Sequence, residues 1–330
     1  MLRNARLRAL NVLRRRLLGI IGVPLAFGLD VVSRRSSRRA GVALVYHAVA
    51  DRPGDLRREL VPALGTRLFE KHIRYLARRY RMVLASDLLD AARSRSPGVP
   101  FPLALTFDDD LSSHLAVVAP MCREWNVPAA FYLTGRSLRG PAAYWWEDLQ
   151  RALDAGIAPE ALGVPGVAAG VSIHKIGGII ERLAPTERRA VEEHLRRLAG
   201  PGDPAAGLRT TDVSRLSALG FEIGFHTLRH DRLTDLEDES MRRAFLEGRD
   251  ELHLATRTPI DSIAYPHGRA DERVARSAQA AGFRVGFTGT PTVVTPDSNP
   301  LLLGRVSPSY DSVGELAFDV AWTIFRTSSP

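Results

Sequence analysis

Residues 103–110 read LALTFDDD, an unbroken apolar run that ends in three adjacent aspartates, Asp108, Asp109 and Asp110. A short continuous apolar run is the pattern of a strand buried on both faces, as in a parallel sheet. Neighbouring carboxylates repel one another, so a fold that gathers them at a strand end sets at least one against a cation or a proton. An acidic loop or a helix cap is the plainer alternative. Working outward, comparable runs recur as GVALVYHAV (41–49), AAFYLT (129–134), FEIGFH (221–226), DSIAYP (261–266) and RVGFTG (284–289), with a shorter strand at Met82–Leu84. Helical stretches at 66–80, 86–95, 111–125, 236–256 and 270–281 alternate with them. This alternation predicts parallel strands joined by crossover helices, about seven strands in a closed or nearly closed, distorted (β/α) barrel. Residues 136–210 interrupt the rhythm with YWWEDLQRAL, a Gly/Ala/Pro-rich run and a helical segment at 184–200. They read as an insertion, too short and too poor in strands to build a core of its own.

A second feature is FEIGFHTLRH, where His226 closes a strand and His230 follows four residues later. If a helical turn begins there, both imidazoles share one face, at a spacing suited to a transition metal. Alone, two unrelated surface histidines explain the pair better. Joined with Asp109 they form a His–His–carboxylate set that leaves coordination positions open for water and substrate.

The chain has 330 residues, 45% hydrophobic and 25% charged, which excludes a disordered or collagen-like protein. Its net charge is +8, and 43 of its 45 basic residues are arginine. Ten of these arginines and a single acid, Asp30, fall within residues 1–40, so the remainder is almost neutral. Nucleic-acid binding is therefore disfavoured. One cysteine, Cys122, excludes an internal disulfide and any multi-cysteine metal site. Within the tail, LLGIIGVPLAFGLDVV (17–32) is shorter than the roughly 20 apolar residues of a spanning helix and is interrupted by Pro24 and Asp30. Residues 1–40 are expected to associate with a membrane surface, with a signal segment or a plain extension as alternatives.

Three motifs in order, Thr106–Asp109 (TFDD), His226–His230 (HTLRH) and residues 264–268 (AYPHG), resemble those of the polysaccharide deacetylase family, the NodB-homology carbohydrate esterases of family 4. The resemblance spans about Gly41 to Val306. It implies a metal-dependent hydrolase that removes N-acetyl groups, with Asp108 as general base. It further implies that Asp109, His226 and His230 hold one divalent ion, Zn2+ first, with Co2+, Ni2+ or Mn2+ as alternatives. The family's general acid is a histidine after a late strand, yet no histidine follows His267. Some members resemble circular permutants in which that strand comes first, and here the first strand ends at His47, which takes the role by that reasoning. A strand-end histidine bonded to a backbone carbonyl is the alternative.

The family's third motif usually carries an arginine that pairs with the base, but Ala264 stands at that place; Arg305 in LLLGRV (301–306) is the candidate substitute, with a plain surface arginine as the equal alternative. The family's aspartate–tryptophan motif has no match near GFTGTP, and Asp110 replaces a usual glycine, as an aspartate in a left-handed turn can. Tyr132, Trp145, Pro266, His267 and Arg305 are expected to contact substrate, with Tyr144 and Trp146 as further stacking faces, whereas His114 is expected to lend polar support only. The expected substrate is an N-acetylated glycan, glycolipid or glycan precursor. The expected location is a membrane or the cell envelope, with the cytoplasm as the alternative. Hydrolysis of another C–N or O-acetyl substrate, or a catalytically silent glycan-binding barrel, are the competing functions.

Overall fold

The computed structural model describes residues 2–140, 144–202 and 206–326, with side chains described from Leu13 onward. Seven parallel strands form the path of the barrel: β1 (Val42–Tyr46), β2 (Pro102–Asp108), β3 (Ala129–Leu133), β4 (Glu222–Phe225), β5 (Ser262–Ala264), β6 (Val285–Phe287) and β7 (Arg305–Val306). Their order around the sheet is β7-β1-β2-β3-β4-β5-β6. A parallel bridge between Phe287 and Leu303, just ahead of β7, brings the two ends together. The predicted strand near Met82 is the two-residue Arg81–Met82, which pairs with the start of β2 off this path; β7 takes the seventh place.

The period of two along each strand sorts the residues into two sets. Leu44, Tyr46, Leu105, Phe107, Phe131, Ile223, Phe225 and Ile263 face outward into the main core. There they meet helices such as α2 (Thr66–Arg79), whose Phe69, Ile73 and Leu76 are fully buried. Ala43, Ala104, Ala130, Tyr132, Ala264, Phe287 and Leu303 form a separate cluster inside the ring. Continuing that inward alternation gives His47, Asp108 and His226 at the carboxyl ends of β1, β2 and β4, and Arg305 on β7. The predicted helix over 236–256 is two helices, Asp238–Leu246 and Arg249–Thr256, broken at Gly248, whose φ of 85° suits glycine.

Two expectations change. The insertion does build a small core: α5 (Trp145–Asp154), α6 (Ile173–Ile180) and α7 (Pro185–Ala199) bury Trp145, Trp146, Leu149, Ile176, Ile180, Val191 and Leu195 together. Leu60, Val61 and Leu111 from barrel loops join that cluster, which fixes the insertion over one end of the barrel. The amino-terminal segment is a continuous helix, α1 (Leu2–Arg35), running through Pro24. It packs along the C-terminal helix α12 (Val313–Phe325) through small residues: a Cβ on Gly22 would lie 2.1 Å from the Gly314 carbonyl, and one on Gly314 would lie 2.2 Å from that of Leu18. Ala26 packs against Ala317 and Ala321. Asp30 is buried and is paired with Arg34 at 2.9 Å and with Arg79 of α2 at 2.8 Å.

Backbone-to-backbone contact leaves no room for a branched side chain. Replacing Gly22 by Val should separate α1 from α12 and cost about 1–3 kcal/mol in a denaturant titration of the full chain. A Gly22→Ala variant should fall between it and wild type, and an unchanged midpoint for Gly22→Val would show that the helix does not dock here.

Candidate active site

The strand ends open into a cleft of about 520 Å³ lined by Val45, His47, Asp108, Asp109, Trp145, Trp146, His226, His230, His267 and Arg305. Residues predicted from six separate segments thus share one cavity. Leu60, Val61, His174 and Glu181 also line it, and none was anticipated. His174 and Glu181 come from α6 and its C-terminal end, and only the docking of the insertion brings them there.

Arg305 and Asp108 sit at the heart of the site. Arg305 is fully buried, and its Nη1 and Nη2 donate to the two oxygens of Asp108 at 2.6 and 2.7 Å. Its remaining donors go to Thr106 Oγ1 and to the Thr288 carbonyl, both at 3.1 Å. A bidentate pair whose other donors are satisfied is the geometry in which a buried guanidinium is best tolerated. Burial alone would raise the Asp108 carboxyl, but the Arg305 guanidinium, helped by His226, brings it down to about 2. Arg305 therefore occupies the place in the charge balance that Ala264 leaves open.

Asp109 has the opposite environment. Burial, then Asp108 and Asp110, push its carboxyl well above the usual range. Its Oδ1 is buried without a hydrogen-bond partner and lies 3.9 Å from His226 Nε2 and 3.8 Å from His230 Nε2. The three donor atoms lie within 4.8 Å of one another. His226 Nδ1 is bound to the Ala264 carbonyl at 2.7 Å, which fixes the tautomer and leaves the Nε2 lone pair facing Asp109. Burial lowers His226 to about 4 and His230 well below its ordinary value, so both rings are neutral. One orphaned carboxylate oxygen facing two neutral imidazole nitrogens fits a divalent transition ion, which would supply the charge that Asp109 lacks.

Local backbone strain builds this arrangement. Asp109, Thr227, His230 and His267 all have left-handed φ values between 53° and 74°, uncommon for residues with a side chain. The left-handed residue after β2 is Asp109, not Asp110 as the glycine comparison implied. Asp110 is instead fully buried and accepts hydrogen bonds from Thr134 N at 2.7 Å, Ser137 N at 2.9 Å and Thr134 Oγ1 at 3.1 Å. The His226–His230 spacing is likewise a tight turn, closed by His230 N donating to Thr227 O at 3.2 Å, and not a helical face. His114 supports the site from below: its Nε2 bonds both the Asp108 and Asp109 carbonyls at 3.0 Å.

The expected substrate contacts divide. Trp145 and Trp146 line the cleft, and Trp146 also packs on the His230 ring at 5.4 Å. His267 meets the His230 ring edge-to-face at 4.6 Å and faces Glu181 Oε1 at 3.4 Å. Burial would raise Glu181, but the bond and charge of His267, with Arg232 and Arg269, hold it below the ordinary value. Pro266 is buried within the turn that presents His267, and the Tyr144 hydroxyl accepts a hydrogen bond from Asp110 N at 2.6 Å. Tyr132 does not reach the cleft. Its ring is fully buried in the barrel interior, lying where a Cβ on Gly224 would be, so it fills the space under the site.

The sequence profile of the polysaccharide deacetylase family matches residues 186–286, a segment containing His226, His230 and the AYPHG turn but not Leu103–Asp110. No curated protein matches the chain in sequence. Among solved structures, the deacetylase PplD of Streptococcus pyogenes, determined with acetate, superposes with a TM-score of 0.60 at 15% identity, covering 86% of this chain and 98% of that one. IcaB of Ammonifex degensii gives 0.55 at 18% identity over 84% and 97% of the two chains. A de-N-acetylase of Aggregatibacter actinomycetemcomitans gives 0.55 at 14% identity over 81% and 94%. The fold is that of the NodB-type deacetylase barrels. In sequence, residues 186–286 are similar to the polysaccharide deacetylase family, and in fold the barrel is similar to solved deacetylases.

The Arg305–Asp108 pair should dominate the stability of this end of the barrel. Arg305→Gln leaves a buried carboxylate unpaired and should cost about 3–5 kcal/mol by denaturant titration. The double variant Arg305→Gln/Asp108→Asn should recover a large part of that loss, and a loss below about 1 kcal/mol for the single variant would contradict the pairing.

Proposed function

We propose that this protein is a metal-dependent deacetylase that hydrolyses the acetamide of an N-acetylated glycan, releasing acetate and a free amine. The observation that carries the reading is the orphaned Asp109 oxygen facing the Nε2 atoms of His226 and His230, beside Asp108 and in a cleft of sugar size. A divalent ion held by Asp109, His226 and His230, with Zn2+ first and Co2+, Ni2+ or Mn2+ as alternatives, would polarise the acetamide carbonyl and acidify water at the site.

The chain's own residues supply the proton traffic. Asp108, kept ionised by Arg305, accepts the proton of the attacking water. Its depressed basicity makes it a weak base, so positioning contributes more here than proton affinity does. His47 lines the same cleft, and burial lowers its imidazole below the ordinary value while the neighbouring Asp108 charge opposes this. His47 takes up the proton that Asp108 gained from water, directly or through solvent, and gives it to the departing amine, so both groups return to their starting state. Trp145 and Trp146 offer apolar ring faces to the sugar, with His267 at the rim. The acetate bound by PplD is the product such a reaction releases.

Acetate release from N-acetylated oligosaccharides tests this reading. Chelation should abolish release and a divalent ion should restore it. Asp108→Asn and His47→Ala should each retain metal, measured by elemental analysis, while turnover falls by about two to four orders of magnitude. Bound glycan without acetate release by the metal-loaded protein would favour a silent binding barrel. Release from small amides or O-acetyl esters alone would move the substrate class.

The amino-terminal helix supports a location at a membrane surface. Leu13–Arg35 is long and apolar enough to cross a bilayer by length and composition. Its Leu18, Gly22, Ala26 and Asp30 stripe, however, is engaged against the barrel. The opposite stripe of Leu13, Leu17, Ile20 and Phe27 is exposed, Ile20 by 80%. Lys71, Arg74 and Arg78 of α2 line a shallow apolar groove with Val23 and Phe27, so an interfacial helix flanked by cations is the reading favoured over a spanning one. Ile20→Asp with Phe27→Asp should release the protein from vesicles containing anionic lipid, read by flotation, with deacetylation of a soluble substrate kept. Equal flotation of variant and wild type would refute it.

A further inference from the structure

The turn that presents His230 to the metal cleft has a second side. Leu228, Arg229 and Asp231 face a separate groove of about 620 Å³, into which Arg136, Arg139, Arg188, Arg189 and Arg196 also project. Glu192, Asp231 and Glu247 are the carboxylates that line it. The ion pairs divide the arginines. Buried Arg188 is paired with Asp231 at 2.8 Å and Glu192 at 3.2 Å, and Arg229 with Glu247 at 2.8 Å. Arg139 is paired with Glu251 and Glu247, and Arg196 faces Asp148 at 3.9 Å. Among the described residues, Arg136 and Arg189 have no carboxylate partner.

Arg136 is held close to the chemistry. It follows Gly135 in the turn that the Asp110 carboxylate braces through Thr134 and Ser137. Its guanidinium lies over the Tyr144 ring at 5.8 Å, a contact that leaves its N–H donors available. Arg136 lines the groove, on the other side of the 228–231 turn from the cleft that His230 lines. Arg189 comes from α7 and lines the same groove. Two unmatched guanidiniums across one concavity present about two positive charges and forks of donors. A phosphate monoester carries about −1.5 to −2 at neutral pH and several acceptor oxygens, and so balances them better than one carboxylate does.

We propose that this groove binds a phosphoryl group carried by the glycan substrate, so that the protein acts on a phosphorylated N-acetylated sugar rather than a neutral one. The substrate part of the proposal rests on the deacetylase reading; the phosphoryl site itself does not. Because one turn, residues 228–231, forms a wall of both cavities, a single sugar phosphate can place its acetamide at Asp108 and its phosphate at Arg136. The near-neutral charge of the chain beyond residue 40 hides this local excess.

The test uses the full chain and two readouts. Inorganic pyrophosphate, titrated calorimetrically at fixed ionic strength, should bind wild type. Binding should be at least tenfold weaker in Arg136→Gln/Arg189→Gln and unchanged in a distant exposed control, Arg58→Gln. In parallel, acetate release is compared for an N-acetylated oligosaccharide with and without a phosphate monoester. The double variant should raise KM for the phosphorylated substrate at least tenfold and leave the neutral one within twofold. Pyrophosphate binding that is absent, or equal in the variant and wild type, overturns the site. Preference for a uronate-bearing oligosaccharide over the phosphorylated one overturns the phosphoryl assignment. An equal loss on both substrates shows that the arginines serve the cleft's structure and also overturns it. Pyrophosphate binding lost in the variant, with no acetate released from any substrate by wild type, upholds the site and refutes the deacetylase reading instead.

Discussion

The ion pair between Arg305 and Asp108 is the constraint around which the working end of this barrel is organised. Arg305 lies on β7 and Asp108 on β2, with β1 between them, so the pair spans three strands from the inside of the ring. A guanidinium this deeply buried is tolerable only with its donors satisfied, and Thr106 and the Thr288 carbonyl satisfy the rest. The pair thereby fixes the last strand against the first two and keeps one carboxylate charged. Its neighbour Asp109 has a buried Oδ1 with no hydrogen-bond partner. Two adjacent aspartates on one strand end thus acquire opposite characters from their surroundings alone.

The rest of the site is shaped by how the barrel interior is filled. Small residues, Ala43, Ala104, Ala130 and Ala264, line the inside, and the Tyr132 and Phe287 rings fill what they leave. Gly224 is required because Tyr132 occupies the place of its side chain. Above this floor, four left-handed residues turn the chain sharply enough to face their side chains inward. The energy of such backbone is supplied by the packed barrel beneath and by buried braces, such as Asp110 on Thr134 and Ser137 and His114 on the Asp108 and Asp109 carbonyls. The insertion then adds a wall, placing Trp145, Trp146, His174 and Glu181 opposite the strand ends.

Charge is distributed on a finer scale than composition records. The arginine-rich amino terminus belongs to a helix docked on α12 through glycine and alanine, with buried Asp30 tying it to Arg79. Beyond it the chain is almost neutral in sum, yet one groove collects six arginines beside the cleft. Net charge averages over the surface, whereas a ligand meets only the groups within a few ångströms.

Much of the architecture was legible in the sequence. The apolar runs ending at His47, Asp108 and His226 marked strands of a parallel barrel, because a strand buried on both faces has few other compositions available to it. The three motifs carried the resemblance to the polysaccharide deacetylases, since ligand chemistry restricts which residue types can serve, and the family model matches the segment that holds two of them. Local sequence was weaker wherever the outcome depended on a distant partner. The left-handed position went to Asp109 because Asp110 finds donors at Thr134 and Ser137. The turn at 226–230 replaced a helical face, and Tyr132 turned to the interior because Gly224 leaves it room. The insertion's core, the docking of α1 and the arginine groove bring together residues far apart in the chain. By itself the sequence determined which side chains were available for metal, proton transfer and sugar contact. Only the closed barrel decided which of them meet, because burial, ion pairing and backbone strain are properties of neighbours in space.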